Sequence, residues 1–196
     1  MSELLYQGHG SFRITLNNRK VIYIDPYVRD GCDMPADLIL VTHQHSDHNR
    51  IDIMPHNEGC IIYQSFDALK DGKYGQMDCF GVHIEAVQAY GRSHKKAECV
   101  GYLVSADGKL FYFSGDTAET EQMHSLASKC IDYAFLPIDG IYTMDIDEAV
   151  HCAKIIKAKH SVPVHMTPGK LFDREKAEKF NTTSRLILAN GEKIKW

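Results

Sequence analysis

The sequence predicts an α+β fold in which two mixed β-sheets lie face to face with helices packed outside them. Two observations carry this reading. Short strand-like runs separated by turn signals fill the first third of the chain, and later strands alternate with single helices. That order layers sheets between helices. The length, 196 residues with 44% hydrophobic and 24% charged side chains, fits one domain spanning 1–196. A chain of that size buries roughly 70% of its unfolded surface, enough for a core without covalent staples.

The elements follow in order. Residues 11–16 alternate polar and apolar side chains, Asn17-Asn18 signals a turn, and Val21-Ile22-Tyr23-Ile24 is a continuous apolar run. Leu38-Ile39-Leu40-Val41 is a second such run, too short for a helix and therefore a buried strand. Further strands are expected at 60–63, 82–87, 100–104, 110–113, 133–136 and 185–188, with a hairpin turn at Asp107-Gly108. A helix is expected over 145–158, with Asp145 as cap, Glu148 three residues on, and Ile146, Ala149, Val150, Ala153 and Ile156 on one face. Two more helices are expected at 118–129 and 173–180. The segments between strands are short, so chemistry is expected in tight loops at strand ends.

Composition removes several function classes. The net charge is -4, from 22 Lys+Arg against 26 Asp+Glu, which leaves no basic footprint for nucleic acid. No stretch reaches the ~20 apolar residues of a membrane helix, and no basic segment followed by an apolar run opens the chain. Six cysteines stand at 32, 60, 79, 99, 130 and 152 without a C-x-x-C pair, the usage of reduced thiols in a cytoplasmic protein.

Histidine is the outlier, with 11 residues. Thr42-His43-Gln44-His45-Ser46-Asp47-His48 follows the 38–41 strand directly. Neutral imidazoles and a carboxylate in a loop at a strand end suit divalent cations. In extended chain His43 and His45 face the same side and can share an ion, while Asp47 and His48 reach a second. Three later residues repeat the placement just beyond a strand: His94 in a turn-rich loop, Asp116 in Ser114-Gly115-Asp116-Thr117, and His165 after Val162-Pro163-Val164. His124 and His151 fall in expected helices, and His83 and His160 in or beside strands, where surface or core roles fit better.

A T-H-x-H-x-D-H motif after a strand, a later loop histidine, G-D-T after a strand and then P-x-H resemble the metallo-β-lactamase superfamily, and within it the small UlaG-like metal-dependent hydrolases. Gly8-His9-Gly10-Ser11-Phe12, Ile24-Asp25-Pro26, Val100-Gly101-Tyr102 and the stretch from Leu136 to Asp145 share in the resemblance. It implies a four-layer αββα sandwich with the site at one edge between the sheets. It also implies that His43, His45 and His94 hold one metal, that Asp47, His48 and His165 hold the other, and that Asp116 bridges them. The lead-in Gly91-Arg92-Ser93 departs from the family's Tyr-Asn type, so His83 stands as the alternative to His94.

Two cations about 3.5–4 Å apart can share a water and supply hydroxide near neutral pH. With two dications, two aspartates and a bridging hydroxide, the formal sum is +4 - 2 - 1 = +1, which favours a small, anionic substrate and its developing oxyanion. The expected function is hydrolysis of an ester, lactone or phosphodiester, with Asp47 orienting the hydroxide and shuttling a proton. Zinc is the first expectation, with manganese or iron as alternatives. Asp25 is expected to accept a ligand histidine's N–H, and His9, Tyr142 and Lys170 to contact substrate. An iron-dependent oxidoreductase of the same fold and a non-catalytic metal-binding protein are the competing classes. No nucleic acid or membrane partner is expected, and a homo-oligomer is compatible with the sequence.

Overall fold

The computed structural model describes all 196 residues. The first sheet has the strand order β14-β1-β2-β3-β4-β5. Its members are β1 (Glu3–Gly8), β2 (Ser11–Thr15), β3 (Val21–Ile24), β4 (Ala36–Val41), β5 (His56–Gln64) and β14 (Lys193–Lys195). The second sheet runs β13-β12-β11-β10-β9-β8. Here β8 is Gln76–Cys79, β9 Val82–Gln88, β10 Val100–Ala106, β11 Lys109–Phe113, β12 Tyr133–Pro137 and β13 His160–Val164. A small hairpin, β6 (Leu69–Lys70) with β7 (Lys73–Tyr74), follows the one-turn helix α1 (Ser65–Ala68). The other helices are α2 (Met123–Leu126), α3 (Ile146–Ile156) and α4 (Arg174–Lys179).

The alternation of apolar side chains divides each sheet into an inner and an outer face. Inner residues such as Leu4, Phe12, Ile22, Leu38 and Leu40 meet Ile84, Tyr102, Phe111, Phe113 and Phe135 in one cluster between the sheets. Phe12 sits 4.4 Å from Phe135 and 5.0 Å from Phe113, ring centre to ring centre. Outside the second sheet, α2, α3 and α4 bury Met123, Leu126, Ala149, Cys152, Ala153, Ile156 and Ala177 against Leu103, Tyr112, Ala134 and Leu136. The outer face of the first sheet is covered differently. Val21, Tyr23, Ile39 and Val41 pack under Cys32, Ile53 and Met54, which lie in loops, and no helix joins that cluster.

Strand direction matters more for the site than layer count. In the first sheet β3 is parallel to β4, and β2 runs antiparallel to both β1 and β3, so β1, β3 and β4 end on one edge. In the second, β11, β12 and β13 are parallel, and β9 points the same way because β10 runs against both β9 and β11. The C-terminal ends of seven strands therefore open on the loops that carry His9, Asp25, the 43–48 segment, His94, Asp116, Asp139 and His165.

Two expected elements differ from those found. The helix expected over 118–129 starts only at Met123 and ends in a 3-10 turn at Ala127–Lys129. The Ala118 amide bonds the Tyr90 carbonyl at 2.9 Å and the Glu119 amide bonds Glu148 Oε1 at 2.8 Å, which ties down the first residues as a loop. The strand expected at 185–188 reduces to one bridge, Arg185 beside Ser161. Ser161 exchanges bonds with Ser184 and Leu186 along the free edge of β13. Two residues on, Pro163 occupies the same edge and has no N–H to extend the ladder. The helix at 145–158 is realised as α3, and Asp145 caps it by accepting from the Glu148 amide at 2.9 Å. All six cysteines are free, and no helix is long and apolar enough to cross a membrane.

Candidate metal centre

The centre is built around Asp116, which leaves β11 through Ser114-Gly115. Gly115 adopts φ +62, and a Cβ there would stand 2.9 Å from the Thr42 side chain, so glycine lets this turn close onto the start of the histidine loop. Asp116 is 4% exposed. Nε2 atoms from three loops surround its carboxylate: His165 at 3.3 Å, His94 at 3.4 Å, and His48 and His43 at 3.5 and 3.9 Å. His94 reaches this point because Gly91 and His94 close a tight turn by bonding each other's backbone, with the Gly91 Cα packed close to Ala118.

Two sets of donor atoms result, each with its members within 4.8 Å of one another. One holds His43, His45, His94 and Asp116; the other holds His9, Asp47, His48 and His165. His83 joins neither. It lies at the opposite end of β9 from the His94 loop, half exposed, with Nδ1 2.8 Å from Asp78 Oδ1. Five residues of strand, roughly 17 Å, separate it from the site edge.

Carboxylates behind the rings set their orientation. Asp25 Oδ2 lies 2.9 Å from His48 Nδ1 and accepts the Thr42 hydroxyl at 2.6 Å, while Oδ1 accepts the Thr42 amide at 2.7 Å. The Thr42 hydroxyl in turn is 3.0 Å from His43 Nδ1. Asp139 Oδ2 lies 2.9 Å from His165 Nδ1. Its other oxygen accepts the amides of Ile141 and Tyr142 at 2.5 and 2.7 Å, which shapes the loop that presents Tyr142. Sequence reading found Asp25 in this role and missed Asp139, although Asp139 stands two residues past the end of β12, the same kind of position as Asp116. Lys170 does not reach the cleft by its side chain, because its amino group bonds Asp173 Oδ2 at 3.0 Å within the same turn. Only its carbonyl approaches the site, 3.4 Å from His9 Nδ1.

Ionisation follows from this packing. Burial opposes charge on every group here, yet pairing outweighs it for most. Burial and then the rings of His48, His165, His94 and His43 act on Asp116, and the rings prevail, holding its carboxyl well below the usual range. Asp47 is likewise held low against burial, by His165 and His9. Against burial, His165 and the amides of Ile141 and Tyr142 lower Asp139 to about 2. His165 rises to about 10, its burial overcome by Asp116, Asp139 and Asp47. His48 is also raised against burial, by Asp116 and Asp25. His43 moves the other way, because burial and the His48 ring disfavour its charge.

These residues fit divalent cations. The Nε2 atoms of His43, His48, His94 and His165 are buried and have no hydrogen-bond partner. Each unpaired buried polar atom costs about 1–3 kcal/mol, and four aimed at one carboxylate is a donor arrangement that a cation satisfies. Ligands bonded at about 2.0–2.2 Å sit roughly 2.8–3.6 Å apart around one ion, and the contacts of His165, His94 and His48 to Asp116 fall in that range.

Two openings reach the cluster. A cleft of about 420 Å³ over Asp47, Asp116 and His165 is flanked by Tyr27, Ser46 and Tyr142. A pocket of about 300 Å³ beside His43, His45 and His94 is walled by Phe66, Leu69 and Lys95.

Known proteins share both the sequence and the shape. Residues 3–165 match the family described as the beta-lactamase superfamily domain. A UPF0173 metal-dependent hydrolase of Nitratidesulfovibrio vulgaris is 31% identical over 193 aligned residues, covering 84% of this chain and 80% of that protein. Another, from Nanoarchaeum equitans, is 30% identical and covers 83% of each. A crystal structure from Parabacteroides distasonis superposes with a TM-score of 0.77 over 94% of this chain and 90% of that one, at 28% identity. The chain belongs to the metallo-β-lactamase superfamily, among its metal-dependent hydrolases.

Proposed function

We propose that this protein hydrolyses an ester, lactone or phosphodiester bond in a small anionic substrate, using two divalent cations held side by side. The observation that carries the proposal is the convergence of four unpaired, buried Nε2 atoms on the single carboxylate of Asp116. His43, His45 and His94 would hold one cation, Asp47, His48 and His165 the other, and Asp116 would be shared. Zinc suits the mixed nitrogen and oxygen set, which manganese and iron also accept. The cations, when bound, supply a water-derived nucleophile near neutral pH and Lewis-acid stabilisation of the developing negative charge.

The chain's own groups supply positioning and proton handling. Asp47 is one-third exposed at the floor of the larger cleft while Asp116 is buried, so Asp47 is the carboxylate that meets substrate and solvent. It orients the attacking water by accepting its proton and returns that proton to the leaving oxygen. Asp25 and Asp139 fix the His48 and His165 rings, so the centre needs little rearrangement as charge develops. Tyr142, about half exposed on the cleft wall, offers a hydroxyl to the substrate's anionic group.

The test is a panel of bis-p-nitrophenyl phosphate, a simple lactone and a carboxylic ester. Hydrolysis of at least one is expected, abolished by chelation and restored by zinc or manganese. Turnover that survives complete metal removal would overturn the proposal.

A further inference from the structure

We propose that His9 is a metal ligand, completing a four-residue set with Asp47, His48 and His165, rather than a substrate contact. The inference rests on the two-cation reading above and adds a residue that reading does not use. His9 is 2% exposed and sits in the β1–β2 turn, outside the T-H-x-H-x-D-H segment. Its backbone is held in place from three sides: its amide bonds the Leu171 carbonyl at 2.7 Å, and its carbonyl accepts the His165 amide at 2.8 Å and the Tyr6 hydroxyl at 2.9 Å. These bonds tie it to the loops carrying His165 and Lys170, with the backbone held in the left-handed region at φ 57.

The Nδ1 of the His9 ring faces the Lys170 carbonyl at 3.4 Å and its Nε2 faces Asp47 Oδ2 at 3.0 Å, so both nitrogens point at acceptors. A neutral imidazole has a single N–H and satisfies only one of them. With a cation beside Asp47, both are satisfied: Nδ1–H donates to the carbonyl, and the Nε2 lone pair joins Asp47 Oδ2 on the ion. A backbone carbonyl on one nitrogen and metal on the other is the usual arrangement of a ligating histidine. The 3.0 Å separation matches two ligands on one ion. The ring centre also lies 3.9 Å from that of His165, placing the two imidazoles side by side around the same point.

The test is a chelator-competed titration of metal-free protein with cobalt(II), following affinity and the visible absorption of each equivalent. The variant is His9→Asn, since asparagine tolerates the left-handed backbone and is a weak ligand. His9→Gly serves as a second variant with no steric strain in the left-handed backbone. Residues that merely orient a ligand change affinity by about 10–100-fold. Loss of a ligand is therefore expected to weaken one of the two equivalents by more than about 100-fold and to change its cobalt spectrum, with the other equivalent unaffected. Wild-type affinity for both equivalents would overturn the assignment. So would weaker binding with an unchanged spectrum, which would make His9 a positioning residue for Asp47. A wild-type chain that takes up fewer than two equivalents would overturn the two-cation reading itself, before any variant is compared.

Discussion

The two halves of the metal centre are supported very differently. Around His48 and His165, each ring is backed by a buried carboxylate, Asp25 or Asp139, and each carboxylate is itself held by further bonds. Around His43 and His94 the backing thins out. His43 Nδ1 reaches a carboxylate only through the Thr42 hydroxyl, which donates to Asp25, His94 Nδ1 has no carboxylate beside it, and His45 is exposed. Rigid backing raises ligand basicity and lowers the cost of organising the site. The difference assigns distinct work to the halves. On the two-cation proposal, the His48 side would be the prebuilt position, while the His43 side would be the more adaptable one and borders the pocket walled by Phe66, Leu69 and Lys95.

The largest expected effect comes from removing what the halves share. Asp116→Ala is expected to lower cation occupancy on both sides and to cut hydrolysis by about 10³-fold or more, the scale of losing several kcal/mol of charge stabilisation. Far-UV circular dichroism should remain that of the folded protein, because Asp116 is not a member of either apolar cluster, between the sheets or under the helices. Equal occupancy in the variant and the wild type would break the account of Asp116 as the shared ligand.

An intermediate effect separates the halves. Asp139→Asn, which touches only the His165 ring, is expected to weaken one cation by about 10–100-fold, leaving the other within a few-fold of wild type by chelator competition. If both cations weakened equally, the unequal backing would carry no functional weight.

The smallest effect concerns pH. His165 is raised to about 10 by its carboxylate neighbours against its burial, above its ordinary value of about 6.5. That pairing stabilises metal-free protein fully below pH 6.5, and the contribution is lost as pH rises through 10. The metal-free melting temperature is therefore expected to fall by several degrees, ~2–4 °C per kcal/mol for a chain of this size, between pH 7 and 10. Metal-loaded protein should change less, because cation and proton compete for the same lone pair. Parallel slopes for the two forms would count against His165 as a ligand.

Much of this centre was legible because it obeys one rule, polar donors just past the C-terminal ends of strands that point the same way. The 43–48 loop, Asp116 and His165 show strand-then-donor spacing, as does His94, for which His83 stood as the alternative until the structure placed His83 at the far end of β9. Asp139 follows the same rule yet went unread, because one aspartate after an apolar run looks like a turn residue until the His165 ring is found behind it. Nothing in Gly8-His9-Gly10 reveals that the β1–β2 turn folds against the His165 loop, so the side chain's place beside Asp47 was not legible. The missed strands β1 and β14 belong to the same problem, since each is paired across the length of the chain, as in Glu3 beside Lys195, whereas β8 is a short, half-exposed edge strand paired only with the adjacent β9. The over-read helix at 118–122 and strand at 185–188 failed through single tertiary facts, the capture of two amides in one and Pro163 in the other.

The central claim is that one chain holds two cations around Asp116. The most direct measurement is elemental analysis of folded wild-type protein, expressed in metal-replete medium and exchanged to remove loosely bound ions. Two zinc, manganese or iron ions per chain is the predicted result. One ion or none in a protein that still hydrolyses its substrate at full rate would contradict it.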